Sequence, residues 1–324
     1  MHPIQGDLRD GVARTTDHGG LGPDLLTAIE AEGGLWHAGD YYAKGPQIVA
    51  AARANGVRAL RLDARDLGLL RDIPELEFLH LRSDGRPPLD PVASLPNLRA
   101  LIVETGALRG TIDLSAHPRL EWLKLKLSGR GGRENLDAVM AGHPAVRDLR
   151  LNEVPFRDLS ALSRAFPGAR HVRIFGGDRL RSVGDVAPWR ASLAGLGTVW
   201  APIRTVAELA VLPELRYLGL TFGRLETVAT PRSMAALRHL SLLGNVPGLR
   251  PLAGHPGLRI VRLSEPEDGD FGPLRELPAL AALIGRPQDE RDLGVPFLEE
   301  LPADDSLVRE WRQGTQSSEP LMSL

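Results

Sequence analysis

A solenoid of short stacked coils, α/β in class, is what two features of this sequence predict together. A unit reading apolar-x-x-apolar-x-apolar returns repeatedly along the 324-residue chain. A proline stands two residues ahead of it in eight of eleven copies. Gly (35) and Pro (26) scattered without period would argue for disorder; placed in register, they punctuate coils instead. A hydrophobic content of 43% supplies enough apolar surface for a sizeable core.

The clearest copies are PELEFLHL (74–81), PNLRALIV (96–103), PRLEWLKL (118–125), PELRYLGL (213–220), PGLRIVRL (256–263) and PALAAL (278–283). Weaker ones are VRALRL (57–62), PAVRDLRL (144–151), PGARHVRI (167–174), LGTVWA (196–201) and LRHLSL (237–242). Their first apolar positions run Val57, Leu76, Leu98, Leu120, Val146, Ala169, Leu196, Leu215, Leu237, Leu258 and Leu280. The steps between them average about 22 residues, with extremes of 19 and 27. Within a copy the apolar residues alternate, the pattern of a short strand with one buried side. A turn follows, then an apolar-spaced stretch such as VAELAVLP (206–213) or LDAVMAGHP (136–144), long enough for one or two helical turns. Proline ends that stretch because it has no N–H for the next helical bond. No coil can bury its own leucines, so the coils must stack.

Spacing and motif resemble the leucine-rich-repeat family, in its bacterial-type class of about 22 residues. The resemblance covers residues 57–285. It implies a horseshoe of about eleven repeats, with a parallel β-sheet on the concave side and short helices on the convex side. The family's ninth-position Asn, whose amide satisfies the buried turn, occurs here only as Asn245. The other slots hold Arg65, Asp84, Gly106, Ser128, Val154, Gly177, Arg204, Gly223 and Pro266, so these turns must satisfy their backbones differently.

The flanks follow another grammar. Residues 1–22 are polar and glycine-rich, and a poorly ordered N-terminus is expected there. PDLLTAIEAEG (23–33) and PQIVAAARANG (46–56) each read as a helix opened by Pro and closed by Gly. With the loop GLWHAGDYYAK between them they predict a helical N-terminal cap over 23–56, covering the end of the first coil. Residues 286–324 read as an acidic C-terminal cap and tail, with a helix over roughly 304–313 capped by Asp304, Asp305 or Ser306.

Composition excludes several classes. With 39 basic and 41 acidic residues the chain has no overall excess for coating nucleic acid. The absence of cysteine removes disulfides, thiolate zinc sites and cysteine nucleophiles. No apolar run approaches the roughly 20 residues of a membrane helix, and the first residues carry no signal-peptide pattern. A cytoplasmic protein without membrane contact, cofactor or metal is the expectation. No phosphate-loop, nucleophile-elbow or zinc-protease motif occurs. His117, His143 and His255 each precede a proline in the same repeat register, which marks a structural slot rather than three catalytic bases. His37 and Asp40, spaced i, i+3, lack a third metal ligand of compatible spacing.

The third, fifth and seventh positions of each copy should face away from the core, onto the concave side. The third column reads Ala59, Phe78, Ala100, Trp122, Asp148, His171, Thr198, Tyr217, His239, Ile260 and Ala282. The fifth reads Arg61, His80, Ile102, Lys124, Arg150, Arg173, Trp200, Gly219, Ser241, Arg262 and Ile284. The seventh includes Asp63, Arg82, Glu104, Lys126, Asn152, Phe175, Pro202 and Arg286. These columns hold eight Lys or Arg against three acids, and five of the chain's fifteen Phe, Trp and Tyr. Aromatics and arginines carry binding energy at interfaces, so the columns predict a binding face. Cross-strand ring packing is the structural alternative.

The predicted contact residues are Phe78, His80, Trp122, Lys124, Lys126, Arg150, His171, Arg173, Trp200, Tyr217, His239 and Arg262, centred on Trp122, Lys124, Arg150, His171, Arg173 and Trp200. Two longer coils carry inserts whose Arg130, Arg133, Arg179 and Arg181 would line the rim. A second-position arginine column (Arg58, Arg99, Arg147, Arg170, Arg216, Arg238, Arg259) reads as structural, bonding turn carbonyls and acids. The functional expectation is a non-enzymatic protein- or peptide-binding module whose basic, aromatic concave face takes an acidic partner. Three alternatives stand beside it. The acidic C-terminal segment could fold back onto that face; the face could bind single-stranded nucleic acid; or a loop enzyme could use His37, Asp40, Tyr41, Tyr42 and Lys44.

Overall fold

The computed structural model describes residues 4–5, 12–15, 23–39, 43–82, 88–104, 110–127, 135–137, 139–226, 233–284 and 295–315. Arg130, Arg133, Asp40, Tyr41, Tyr42 and Arg286 lie outside them. Two compact units emerge, Met1–Asn152 and Glu153–Leu324. Among the described residues no helix is long and apolar enough to cross a membrane.

In the first unit, strands β3 (Trp36–Gly39), β4 (Ala59–Asp63), β5 (Phe78–Leu81), β6 (Ala100–Val103), β7 (Trp122–Lys126) and β8 (Asp148–Asn152) pair in parallel, each with the next. In the second, β9 (His171–Phe175), β10 (Gly195–Val199), β11 (Tyr217–Arg224), β12 (His239–Asn245), β13 (Ile260–Leu263) and β14 (Ala282–Ile284) do the same. Equivalent leucines therefore stack. Leu79, Leu101, Leu123 and Leu149 form one buried ladder in the first unit, and Val172, Leu196, Leu218, Leu240 and Val261 another in the second. Each such side chain contributes about 1.5–3 kcal/mol by leaving water.

Behind each sheet the chain returns mostly through 3-10 turns, such as Asp90–Ser94, Leu114–Ala116, Ala207–Val211 and Gly272–Glu276. A coil of about 22 residues leaves some five for this return, which suits the steeper 3-10 rise better than an α-helix. Aspartates start several of these turns in place of an asparagine ladder. Asp66, Asp113, Asp158, Asp185 and Asp270 each accept a bond from the N–H two residues on. Asn135 does similar work from a buried position, accepting from Ile112 N–H at 2.9 Å.

The three His-Pro histidines are buried and bonded to backbone. His117 Nδ1 donates to Leu95 O at 3.0 Å, and His143 Nδ1 accepts from Ala145 N–H at 3.3 Å. His255 Nδ1 accepts from Gly257 and Leu258 N–H, while its Nε2 donates to Met234 O. Burial pushes the pKa of His117 and of His143 down, and for His143 this favours the neutral ring whose Nδ1 can accept.

The N-terminal region departs from the cap expected over 23–56. Within the stretch expected to be a tail, β1 (Ile4–Gln5) and β2 (Ala13–Thr15) pair antiparallel with each other, and β2 pairs antiparallel with β3. The expected loop around His37 is instead β3, a full member of the parallel sheet. Helix α2 (Gly45–Ala54) packs on the return side, against the turn Gly68–Asp72. Helix α1 (Pro23–Ala31) covers no coil end. Its Leu25 and Ile29, one turn apart, pack with Ala59, Phe78, Ala100 and Ile102 on the open face of the sheet. That face carries a third column of Ala, Phe, Ala and Trp, an apolar strip that a helix can cover.

The second unit carries the counterpart. Helix α3 (Ser160–Ala165) lies among the return segments, but α4 (Ser306–Thr315), initiated by Asp305 Oδ1 accepting from Leu307 N–H at 2.7 Å, packs with the sheet face. Its Val308 and Trp311 join Tyr217, Ile260, Ala282, Ile284 and Leu298 in one buried cluster.

Candidate functional site

The predicted face has a different character in each unit. In the first, Phe78 is 2% exposed beneath α1, and Trp122, half-buried, tilts against it with ring centroids 6.2 Å apart. Arg99 lies over both rings, 5.5 Å from each centroid. These aromatics serve the packing of a terminal helix, so the structural alternative holds for them.

Lys124 and Arg150 of this face are neutralised from within the unit. Lys124 Nζ donates to Glu104 Oε1 at 2.7 Å, and His80 Nε2 lies 3.2 Å from Glu104 Oε2. Burial alone would raise the Glu104 pKa; the His80 hydrogen bond, the His80 charge and Lys124 outweigh it and hold the carboxyl at about 2. Burial pushes the His80 imidazole down. Arg150, 7% exposed, donates through Nε to Asp148 Oδ1 at 2.9 Å. His37 Nε2, on β3, lies 3.0 Å from Asp63 Oδ2; the metal pair considered with Asp40 falls outside the described residues. Lys126 is half-buried in register with Asn152. Counting cations along the columns overlooks this pairing, because each acid stands in the same or the adjacent strand, only about 4.8 Å away.

The second unit requires a correction of register. β10 pairs Gly195 with His171 and Tyr217, and Gly197 with Arg173 and Gly219. The first apolar position of this coil is therefore Leu193, not Leu196, and its spacing to Ala169 and Leu215 becomes 24 and 22 residues. A three-residue offset is odd, and side chains alternate with period two, so every residue of the strand changes face. Thr198 is buried at 1% exposure. Trp200 leaves the face altogether: it follows β10 with φ +56° and is 61% exposed. The evenness of the corrected steps was the sequence signal for this register.

The corrected fifth column reads Arg173, Gly197, Gly219, Ser241, Arg262. Two arginines flank a floor of small residues three strands wide. Tyr217 lies across this floor, possible only because a Cβ on Gly219 would sit 2.0 Å from its Oη. Burial pushes the Tyr217 phenol up in pKa, with Arg173 and Arg262 opposing electrostatically and Arg173 as a hydrogen-bond partner. Together with Thr221 and Trp311 these residues line a narrow cleft, and no carboxylate is among its described lining residues.

Helix α4 forms one wall. Trp311 meets Tyr217 edge-on at 5.8 Å and His239 at 5.8 Å. Glu310 accepts from His239 Nε2 at 3.1 Å and lies 3.4 Å from Arg259. That hydrogen bond from His239 lowers the Glu310 pKa, with Arg259 and Arg238 assisting against burial. Gly314 permits the approach, since a Cβ there would lie 2.4 Å from His239 Nδ1. His239 is thus occupied by the protein's own helix, and His171 lies against Gly195, where a Cβ would come within 2.8 Å of its ring.

The second-position arginines bond along the edge. Arg58 reaches Glu77 at 2.7 Å, Arg99 approaches Glu77 and Glu121, and Arg238 donates to Ala235 O at 2.9 Å. At the rim of the second unit, Arg179 and Arg181 are exposed and share a surface hollow with Arg157. Arg157 was not singled out by sequence. Its signal is recurrence at one coil position: Arg181 N–H donates to Arg157 O, and Arg204 N–H to Arg181 O, both at 2.9 Å.

Stacked coils of about 22 residues, a parallel strand in each, leucine ladders inside and short return turns behind define a leucine-rich-repeat solenoid. No protein-family model and no curated protein matches the chain. Among solved structures, the internalin InlF of Listeria monocytogenes aligns over 66% of this chain and 68% of its own, at 20% identity and a TM-score of 0.48. The Toll–Spätzle complex of Drosophila aligns over 74% of this chain but 37% of its own, at 19% identity and a TM-score of 0.49. Internalin C2 of Listeria monocytogenes covers 71% and 82%, at 18% identity and a TM-score of 0.31. Likeness at this level says nothing of ligand or activity.

Proposed function

We propose that the protein is a non-enzymatic, cytoplasmic binding module that takes an acidic protein or peptide segment in the cleft of its second unit. The observation that carries this reading is the convergence of Arg173 and Arg262 on a floor of Gly197, Gly219 and Ser241, with no carboxylate among the described lining residues. Arginine favours carboxylate partners through paired parallel donors. The flanking Tyr217 and Trp311 offer ring surface for the segment's apolar atoms. The reading is narrower than a chain-long basic face, since Lys124 and Arg150 of the first unit are paired with Glu104 and Asp148, and Phe78 and Trp122 pack with α1.

The test is fluorescence anisotropy with a labelled oligoglutamate peptide at low and high salt, using the full chain. Wild type should bind, weakening as salt rises. Arg173→Gln/Arg262→Gln should bind at least about tenfold more weakly at unchanged melting temperature. Equal binding by the double variant, or none by wild type, sinks the reading.

A further inference from the structure

We infer that the arginine rim of the second unit is a separate site for a phosphoryl group. It shares no residue with the cleft and does not depend on it. Arg157, Arg179 and Arg181 line one surface hollow, and all three are exposed. None of them forms an ion pair among the described residues. Elsewhere in the unit Arg216 pairs with Glu214, Arg250 with Glu276 and Arg259 with Glu310. Arg181 directs one donor to the backbone carbonyl of Asp178, and the Asp158 carboxylate accepts from Ser160 N–H at 2.9 Å. Three like charges are thus gathered at one place, held by backbone rungs about 4.8 Å apart, with Arg204 on the next rung.

Trp200 adds an independent observation. Its carbonyl accepts from Gly177 N–H, at the start of the turn that bears Arg179 and Arg181. It is the largest exposed apolar side chain among the described residues, and it holds a left-handed backbone conformation. The matching position one coil earlier is Gly176, at φ +71°, the residue that conformation favours. Glu153, at φ +62°, holds the same position one coil earlier still, so this left-handed turn belongs to the coil and directs the side chain outward.

The geometry favours a phosphoryl group over a carboxylate. One guanidinium satisfies a carboxylate through two parallel bonds, whereas a dianion with three terminal oxygens takes several guanidinium forks. Three arginines around a single hollow fit the second case. The phosphoryl group can belong to a phosphorylated side chain, a lipid headgroup or free phosphate.

Isothermal titration of the full chain tests this with four probes. They are inorganic pyrophosphate, a Gly-flanked phosphoserine peptide, its unphosphorylated twin, and vesicles containing phosphatidic acid. Pyrophosphate should bind, and Arg179→Gln/Arg181→Gln should weaken it at least about tenfold. The cleft variant Arg173→Gln/Arg262→Gln should leave that binding unchanged, so the two readings fail separately. Trp200→Gly should weaken the phosphopeptide or vesicle while sparing pyrophosphate, and whichever of these two binds identifies the source. Three results overturn the inference: no pyrophosphate binding, binding indifferent to the rim substitutions, or equal affinity for the unphosphorylated peptide.

Discussion

Replacing Trp311 by alanine should release α4 from the sheet while leaving the coils beneath it intact. Trp311 is 2% exposed, and its ring packs against Tyr217 and His239. A buried tryptophan removes about 150–250 Å² from water, which at about 25 cal/mol/Å² amounts to roughly 4–6 kcal/mol. A terminal helix can lose no more than its own docking free energy. That energy is small, because ordering each of its residues opposes docking by about 1–2 kcal/mol. The loss should therefore appear as local undocking rather than as a lower stability of the whole unit. Hydrogen exchange read by mass spectrometry distinguishes the two. Amides of 306–315 should exchange at nearly unstructured rates, while β10, β11 and β12 keep protection through their parallel ladder. Two outcomes would refute the reasoning. Undiminished protection of α4 would mean that Trp311 is not its anchor. Uniform loss from β9 to β14 would mean that the helix belongs to the core.

Two further predictions concern the same face. The Glu310 pKa is lowered by its bond from His239, so its contribution is complete above the ordinary carboxylate range and is lost as pH falls through the depressed value. Acidification below about pH 4 should loosen α4 before the coils melt, and Glu310→Gln should remove that pH dependence when Trp fluorescence is followed. Gly219→Ala should displace Tyr217, whose Oη would lie 2.0 Å from the new Cβ. A loss of about 1–3 kcal/mol in denaturant unfolding is expected, and unchanged stability would mean that the ring can move aside freely.

The coil pattern was readable because it is written twice, in apolar alternation and in the prolines that end each return. Leu98, Leu120 and Leu215 are all fully buried where their spacing placed them. Reading the coil around 196–201 failed for a specific reason. Leu193 and Leu196 both suit the first position, and the pairing with β9 and β11 selects Leu193. Two glycines on one face, Gly195 and Gly197, were the overlooked clue, since an open face without side chains implies something lying across it. The candidate site was legible in part. Arg173 and Arg262 were marked by their column, but Lys124 and Arg150 looked available because a linear count of charges ignores the neighbouring strand.

By itself the sequence determined the repeat, the strands of ten of the eleven coils, their buried ladders and the histidine slots. All of these are local periodicities, and stacking can satisfy them in only one way. Tertiary structure alone decided what covers the sheet faces. α1 and α4 are amphipathic segments whose spacing declares an apolar side without naming the surface that receives it. That choice depends on shape, on the apolar strip of Ala59, Phe78 and Ala100 for one helix and on Tyr217, Ile260 and Ala282 for the other. It sets Arg173 and Arg262 beside the helix-covered cluster of the second unit, where no local pattern of the sequence would have placed them.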